Sequence, residues 1–216
     1  EQSEHAVTAE SPLDIMFTSG TTGRPKGVLT THGQTLRTFA TWSKTVGLTE
    51  KDRYLIINPF FHSFGYKAGW LACLMRGSLI LPACSFDIPS VIEKIVSEKI
   101  TVLPGPPTIY YSLLESSLRN GRDLSSLRLA VTGAAPVPPE LIRKMKTELG
   151  FDVVLTAYGL TETCGVVSIC REGDSPELIS RSSGCAMPGV EIKCVDSNGL
   201  PVAPGLPGEV WCRGFN

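Results

Sequence analysis

Between residues 53 and 156 the chain repeats one pattern that leaves few folds open to it. Short apolar runs with little polar alternation (RYLIIN at 53–58, SLIL at 78–81, TVL at 101–103, LRLAVT at 127–132, VVLT at 153–156) are separated by stretches at helical spacing. A strand that is apolar on both faces has to be covered on both, and short strands separated by helices join in parallel. The expected fold class is therefore α/β, a mostly parallel sheet flanked by helices on both faces. Pro59 stops the first run and Pro104-Gly105-Pro106-Pro107 the third, because proline cannot donate to a ladder and restricts the residue before it. Helices are expected over 34–46, with Leu36, Phe39, Ala40 and Ser43 on one face, over 66–75, and over 88–98, with Val91, Ile92, Ile95 and Val96 inward. Two more are expected over 108–117 and 139–149. Near the start, Asp14-Ile15-Met16-Phe17-Thr18 reads as a short buried strand, and 28–31 resumes extended structure.

Composition shifts after about Ser168. Residues 171–183 are polar and read as a loop. Residues 190–195, 199–201 and 208–213 read as antiparallel strands joined by Gly/Pro turns, a partial antiparallel β subdomain. Three segments are expected: 1–47 closes a first α/β subdomain, 48–170 forms a second, and 171–216 begins a small β-barrel subdomain. Because Asn216 follows directly on a strand, truncation is expected. No internal repeat is visible.

The charge balance narrows the function. Twenty Lys+Arg against 21 Asp+Glu give no electrostatic footprint for nucleic acid. Seven Cys without any C-x-x-C argue against a disulfide framework and a structural zinc site, and His5, His32 and His62 are too scattered to make a metal cluster. Most of the thiols read as small buried hydrophobes in a reducing compartment, so a cytoplasmic location is expected. No run approaches the roughly 20 apolar residues of a membrane helix, and no secretory signal is visible at the start.

Four segments carry chemistry. Residues 18–27, TSGTTGRPKG, gather hydroxyls (Thr18, Ser19, Thr21, Thr22), glycines (Gly20, Gly23, Gly27) and one lysine, Lys26. Glycines let backbone N–H groups turn toward an anion, hydroxyls add donors, and Lys26 adds charge. This is not a Walker A loop, since Pro25 precedes Lys26 and Gly27 follows it, so the usual hydroxyl ligand for magnesium is missing. A small polar surface turn would have the same composition. Gly133-Ala134-Ala135-Pro136 follows the strand LRLAVT and offers a floor of small residues for a flat ring, or merely a connection. Tyr158-Gly159-Leu160-Thr161-Glu162-Thr163 offers an aromatic face, a hydroxyl and a carboxylate. Mg²⁺ bound with a triphosphate typically takes one carboxylate, which Glu162 could supply; the bland reading is a helix start capped by Thr161 and Glu162. Finally, PFFHSFG at 59–65 sets His62 among aromatics at a strand-to-helix turn, where open α/β sheets place ligands and where a packed histidine could equally sit. No G-x-S-x-G elbow argues for a serine hydrolase, and nothing marks Cys164 as an activated thiolate.

In this order, TSGTTGRPKGV, PFFHSFG, GAAP, YGLTET and GEVWCRG resemble the adenylate-forming superfamily: acyl-CoA synthetases, peptide-synthetase adenylation domains and firefly luciferase. The resemblance runs from about Leu13 to Gly214, and PFFHSFGYKAG with VLPGPPTIY looks most like acyl-CoA synthetases acting on fatty or steroid-derived acids. It implies ATP-dependent activation of a carboxylic acid to an acyl-adenylate, then transfer to the CoA thiol, with ATP, Mg²⁺ and CoA as cofactors. By carry-over Thr18, Ser19, Gly20, Thr21, Thr22, Gly23 and Lys26 would cradle phosphates. Gly133, Ala134, Ala135, Pro136, Tyr158 and Gly159 would hold the nucleoside, with Tyr158 stacking on adenine. Thr161 would contact the α-phosphate region, Glu162 would bind Mg²⁺ and His62 would line the acyl pocket. In the family a ribose-binding Asp and a mobile domain with a catalytic Lys follow the GEVWCRG region, so this chain alone is not expected to complete adenylation. Two alternatives stay open: a carrier-protein thiol as acceptor, or a nucleotide-binding fragment without catalysis.

Overall fold

A computed structural model describes residues 6–18, 23–133 and 135–216. Strands β1 (Pro12–Thr18) and β2 (Lys26–Thr31) pair antiparallel, with Thr18 opposite Lys26. Helix α1 (His32–Thr45) follows at once. Its first turn is closed by a capping box, in which the Thr31 hydroxyl accepts from Gln34 N–H at 3.2 Å and Gln34 Oε1 accepts from Thr31 N–H at 3.3 Å. Then come β3 (Arg53–Ile56), a single turn α2 (Ser63–Gly65), a wide π-type turn (Tyr66–Leu71), α3 (Ala72–Arg76), β4 (Leu79–Pro82), α4 (Ile88–Ser97) and α5 (Pro107–Glu115). The rest is β5 (Leu129–Gly133), α6 (Pro139–Thr147), β6 (Val153–Tyr158), β7 (Ser168–Ile169), α7 (Pro176–Arg181), β8 (Cys185–Ala186), β9 (Val190–Val195) and β10 (Glu209–Gly214).

The expected parallel sheet is present. β4 pairs with β3 and β5 with β6, both in parallel. Between β3 and β5 runs the segment 101–105, where Val102 bridges Tyr54 on one side and Leu129 on the other. The N–H groups of Leu103 and Gly105 donate to the carbonyls of Leu129 and Val131 at 3.0 Å each. β7 and β8 extend the far edge antiparallel. The order is thus β4, β3, 101–105, β5, β6, β7, β8. The β3-to-β4 connection moves one way across the sheet and the next three move the other way. Right-handed crossovers therefore set α2 and α3 on one face and α4, α5 and α6 on the other. The packing agrees: α1 lies against the 66–76 helical segment, while α4, α5, α6 and α7 pack in succession.

The amino ends of the central strands share one carboxylate. Asp52 Oδ1 accepts from the Thr101 hydroxyl at 2.8 Å and from Arg128 Nε at 2.7 Å. Its Oδ2 accepts from Thr49 N–H at 2.8 Å and pairs with the second Arg128 nitrogen. In the core, the Tyr110 hydroxyl donates to the Leu103 carbonyl at 2.8 Å, and its ring meets Phe151 edge-on.

Four local expectations need correction. β1 is not buried: Ile15 is 59% exposed and Phe17 74%, because β1 pairs only with β2 and no layer covers that face among the described residues. The inward face of α1 is Thr35, Thr38, Phe39, Trp42 and Ser43, with Leu36 and Ala40 outside. Two threonines and a serine occupy the core stripe, which an apolar count misses. The 66–75 helix is broken at Gly69 (φ −89°, ψ −107°), where a Cβ would press on Ile56 at 3.3 Å. Residues 171–183 are not all loop. They contain α7, started by Ser175, whose hydroxyl accepts from Leu178 N–H at 3.2 Å, and by Pro176 in the first turn. The antiparallel tail is as expected: β9 pairs with β10, and Pro201 bridges back to Val195.

Burial pushes the Asp52 carboxyl up, but the hydrogen bonds from Arg128, Thr49 and Thr101 outweigh it and hold its pKa below the usual Asp value. A carboxyl lowered in the folded state adds stability above the unfolded-state value, and that stability is lost as pH falls through the folded value. Asp52→Asn should therefore lower the unfolding free energy at about pH 7 by about 3 kcal/mol. Denaturant titrations of both proteins should also show the gap narrowing as pH falls below the ordinary carboxylate range.

Candidate functional site

The carboxyl ends of β5 and β6 open into a cavity of about 1130 Å³. Gly133 ends β5 and Tyr158 ends β6, so both reach the cavity from the sheet. Thr18 and Lys26, paired across β1 and β2, reach it from one side; His62 and Thr161-Glu162 reach it from the turns after β3 and β6. Strand carboxyl ends are where open α/β sheets bind ligands, because the connecting loops and helix starts gather there.

Two close backbone approaches shape the walls. A Cβ on Gly133 would lie 2.7 Å from the Ala157 carbonyl oxygen, so only glycine allows β5 to end against β6 there. A Cβ on Gly159 would run into the Gly165 carbonyl. That approach closes the loop 159–165 on itself. Gly165 N–H donates to the Leu160 carbonyl at 2.8 Å, Cys164 N–H to the Thr161 carbonyl at 3.1 Å, and the Thr163 hydroxyl accepts from Leu160 N–H at 3.1 Å. Cys164 takes a left-handed conformation (φ +55°), uncommon for a residue with a side chain. The result is a rigid single turn, Thr161–Thr163, that presents Thr161 and Glu162 to the cavity. Tyr158, 37% exposed, stands beside it with a ring face available for stacking.

His62 has a defined local role. Its Nδ1 accepts from Phe64 N–H at 3.1 Å and so caps the turn α2. In the neutral ring that bond fixes the proton on Nε2, leaving a donor for a carboxylate or carbonyl.

Of the residues singled out from sequence, Thr18, Lys26, His62, Gly133, Ala135, Pro136, Tyr158, Gly159, Thr161 and Glu162 line this one cavity. Gly23 does not line it; it makes the left-handed turn (φ +82°) ahead of Lys26. Ser19, Gly20, Thr21, Thr22 and Ala134 lie outside the described residues. The apolar end of the cavity joins Phe64 and Ala68, within the 62–70 stretch expected to form part of the pocket, to Phe39 and Trp42 of α1, which sequence reasoning missed; residues 105–110, expected there too, do not line it. Sequence reasoning also missed the wall after α7, at Arg181–Ser183. The signal for the first was the aromatic spacing in α1, and for the second the cap sequence Ser175-Pro176. Among the described residues no three acidic, His or Cys side chains cluster as a metal cage. Glu162 alone fits a hard cation that arrives with phosphate oxygens, since magnesium keeps few protein ligands.

The model of the AMP-binding enzyme family matches residues 1–216. The chain belongs to this family. It is 49% identical over 211 residues to a 3-[(3aS,4S,7aS)-7a-methyl-1,5-dioxo-octahydro-1H-inden-4-yl]propanoyl:CoA ligase of Rhodococcus jostii, covering 98% of this chain and 39% of that protein. It is 34% identical over 217 residues to a putative acyl-CoA synthetase of Bacillus subtilis, covering 100% of this chain and 40% of that protein. Among solved structures, o-succinylbenzoate coenzyme A synthetase from Bacillus subtilis, in complex with ATP and magnesium, superposes with a TM-score of 0.85 at 31% identity, covering 97% of this chain and 42% of that one. The chain thus spans about 40% of the length of these relatives.

Gly159→Ala should displace the Thr161–Thr163 turn and destabilise the chain by about 1–3 kcal/mol, as overpacking of a closed site does. A melting experiment should show a loss of roughly 2–12 °C, since 1 kcal/mol is worth about 2–4 °C in a chain this long. An unchanged melting temperature would mean that the 159/165 approach is not tight.

Proposed function

We propose that the protein containing this chain is an ATP-dependent acid:CoA ligase that makes an acyl-adenylate and then a CoA thioester. One observation carries the reading: a cation (Lys26), a stacking aromatic (Tyr158) and a carboxylate (Glu162), from three separate elements, line one cavity at the sheet's carboxyl edge. The ligase names of the relatives favour CoA over a carrier-protein thiol as acceptor.

In this reading Thr18 and Lys26, with Ser19 to Thr22, hold the triphosphate; Tyr158 stacks on adenine over the floor made by Gly133 to Pro136. Thr161 steadies the α-phosphate, and Glu162 holds a magnesium ion, which neutralises phosphate charge when bound. The acid enters against Phe39, Trp42 and Phe64, with its carboxylate near His62. The carboxylate oxygen attacks the α-phosphorus and pyrophosphate leaves; the CoA sulfur then attacks the acyl carbonyl and AMP leaves. Neither step needs a protein nucleophile, which fits a site made of donors and backbone walls. Catalysis rests on alignment and on charge neutralisation.

The apolar end of the cavity, with the name of the 49%-identical relative, supports a fused-ring, steroid-derived propanoic acid as substrate. No described helix is long and apolar enough to cross a membrane. Cys84, Cys185, Cys194 and Cys212 are exposed, against the expectation that most of the thiols are buried; seven thiols without a disulfide support a reducing, cytoplasmic setting.

In the complete protein, Glu162→Gln should reduce acid-dependent pyrophosphate–ATP exchange by roughly 10²–10³-fold, as loss of one preorganised charge-stabilising group does. A thioester assay across a panel of acids identifies the substrate; exchange that ignores Glu162→Gln would remove the assigned role. The 216-residue chain by itself, lacking about 60% of its relatives' length, should bind MgATP in a calorimeter and show no exchange above background.

A further inference from the structure

Lys67 is one of the largest fully buried side chains in the molecule, with 0% of its surface exposed, and the reading above gives it no task. Its ammonium has three hydrogens, and each finds an acceptor on a different element. Nζ donates to Asp14 Oδ1 on β1 at 3.3 Å, with Oδ2 at 3.2 Å as the ion-pair neighbour, to Thr30 Oγ1 on β2 at 2.9 Å, and to Cys164 Sγ in the turn after Thr163 at 3.7 Å. The acceptors are themselves joined. Thr30 donates its hydroxyl proton to Asp14 Oδ1 at 2.8 Å and accepts from Thr35 Oγ1 at 3.2 Å as well as from Lys67, which uses its one proton and both lone pairs. Thr35 Oγ1 in turn sits 3.4 Å from Cys164 Sγ.

These partners are the roots of the two arms of the site. Asp14 and Thr30 are register partners on the hairpin, four residues from Thr18 and Lys26 respectively. Cys164 is the left-handed residue that closes the turn presenting Thr161 and Glu162. Among its described residues Ile15, Phe17 and Leu29 are exposed, so apolar packing does little to hold the hairpin's distance from that turn. A buried ammonium is a poor source of stability compared with an apolar side chain, but it demands a fixed geometry from every group it bonds.

We propose that Lys67 is a positioning residue that sets the separation between the triphosphate-holding hairpin and the turn that carries Thr161 and Glu162. This rests on the nucleotide reading of the cavity. Lys67 touches no ligand. It fixes the span that a magnesium–triphosphate has to bridge, and leaves alone the wall formed by Gly133, Ala135, Pro136 and Tyr158. Loss of the joint therefore acts on MgATP and spares AMP.

The test uses the complete protein with Lys67→Met, Thr30→Val and Thr30→Ser, reading the KM for MgATP in pyrophosphate exchange and the Kd for AMP by calorimetry. Lys67→Met and Thr30→Val should raise the KM for MgATP by about ten- to a hundredfold, the cost of misplacing a bound group by about an ångström, while AMP affinity stays within about threefold. Thr30→Ser, which restores the hydroxyl, should return both values to those of the unaltered protein. If MgATP and AMP weaken together, or if neither changes, the joint is only structural and the proposal fails. Should Lys67→Met not fold, the Thr30→Val and Thr30→Ser pair decides on the same readouts. An unaltered protein that binds neither nucleotide would refute the nucleotide reading itself, an outcome recognisable before any variant is compared.

Discussion

Asp52 fastens three segments of the sheet at their amino ends: the residue before β3, the strand through Val102, and the lead into β5 through Arg128. Parallel strands fastened at one end all finish at the other, so their connections collect along a single edge. The sheet can be stiff at Asp52 and accommodating at Gly133 and Tyr158 because these ends lie a strand's length apart. The central strand shows how little is needed. Val102 and Leu103 are fully buried, and a few backbone bonds on each side carry the sheet across.

At the accommodating edge the walls are largely backbone. Gly133 and Gly159 are placed where a single methyl group would collide with a carbonyl oxygen, so the site's contour is set by main chain and not by side-chain choice. Charge is distributed differently. Lys26 and Glu162 come from different elements and are not paired with each other. A polyanion with its own cation matches that arrangement better than a neutral ligand would, since it brings both complementary charges in one molecule.

Much of this was legible in the sequence for a physical reason. Strands buried on both faces have to be mainly apolar, and β3, β5 and β6 are, apart from Arg53, Thr132 and Thr156. Positions that need glycine or proline announce themselves, so the 133–136 and 158–163 turns could be placed before any coordinates. What stayed hidden depends on contacts distant in sequence. Leu36 looks like a core residue until Thr35 and Thr38 are seen to take the inward face of α1. The six residues of α7 bury only Ile179, too little apolar signal to separate a helix from a polar loop. The role of Lys67, between Tyr66 and Ala68, is not legible locally, because nothing in its neighbourhood shows that Asp14, Thr30 and Cys164 converge on it from 53, 37 and 97 residues away.

The buried network also bears on how the hairpin can be both weakly packed and accurately placed. With Ile15, Phe17 and Leu29 exposed, hydrophobic burial contributes little to docking β1 and β2, and burial is in any case indifferent to small slides. Hydrogen bonds are not indifferent: they weaken steeply once distance and angle depart from a narrow range. Among its described residues the hairpin is therefore fixed by directional bonds: the Asp14–Lys67–Thr30 cluster, the capping box that joins β2 to α1, and the His32 and Gly33 N–H groups that donate to the Ser11 and Ala9 carbonyls. Its far end, where Thr18 faces Lys26, lies away from that anchor. That division suits the proposed triphosphate-holding role of Thr18 and Lys26, with the root kept in register with the turn across the cavity.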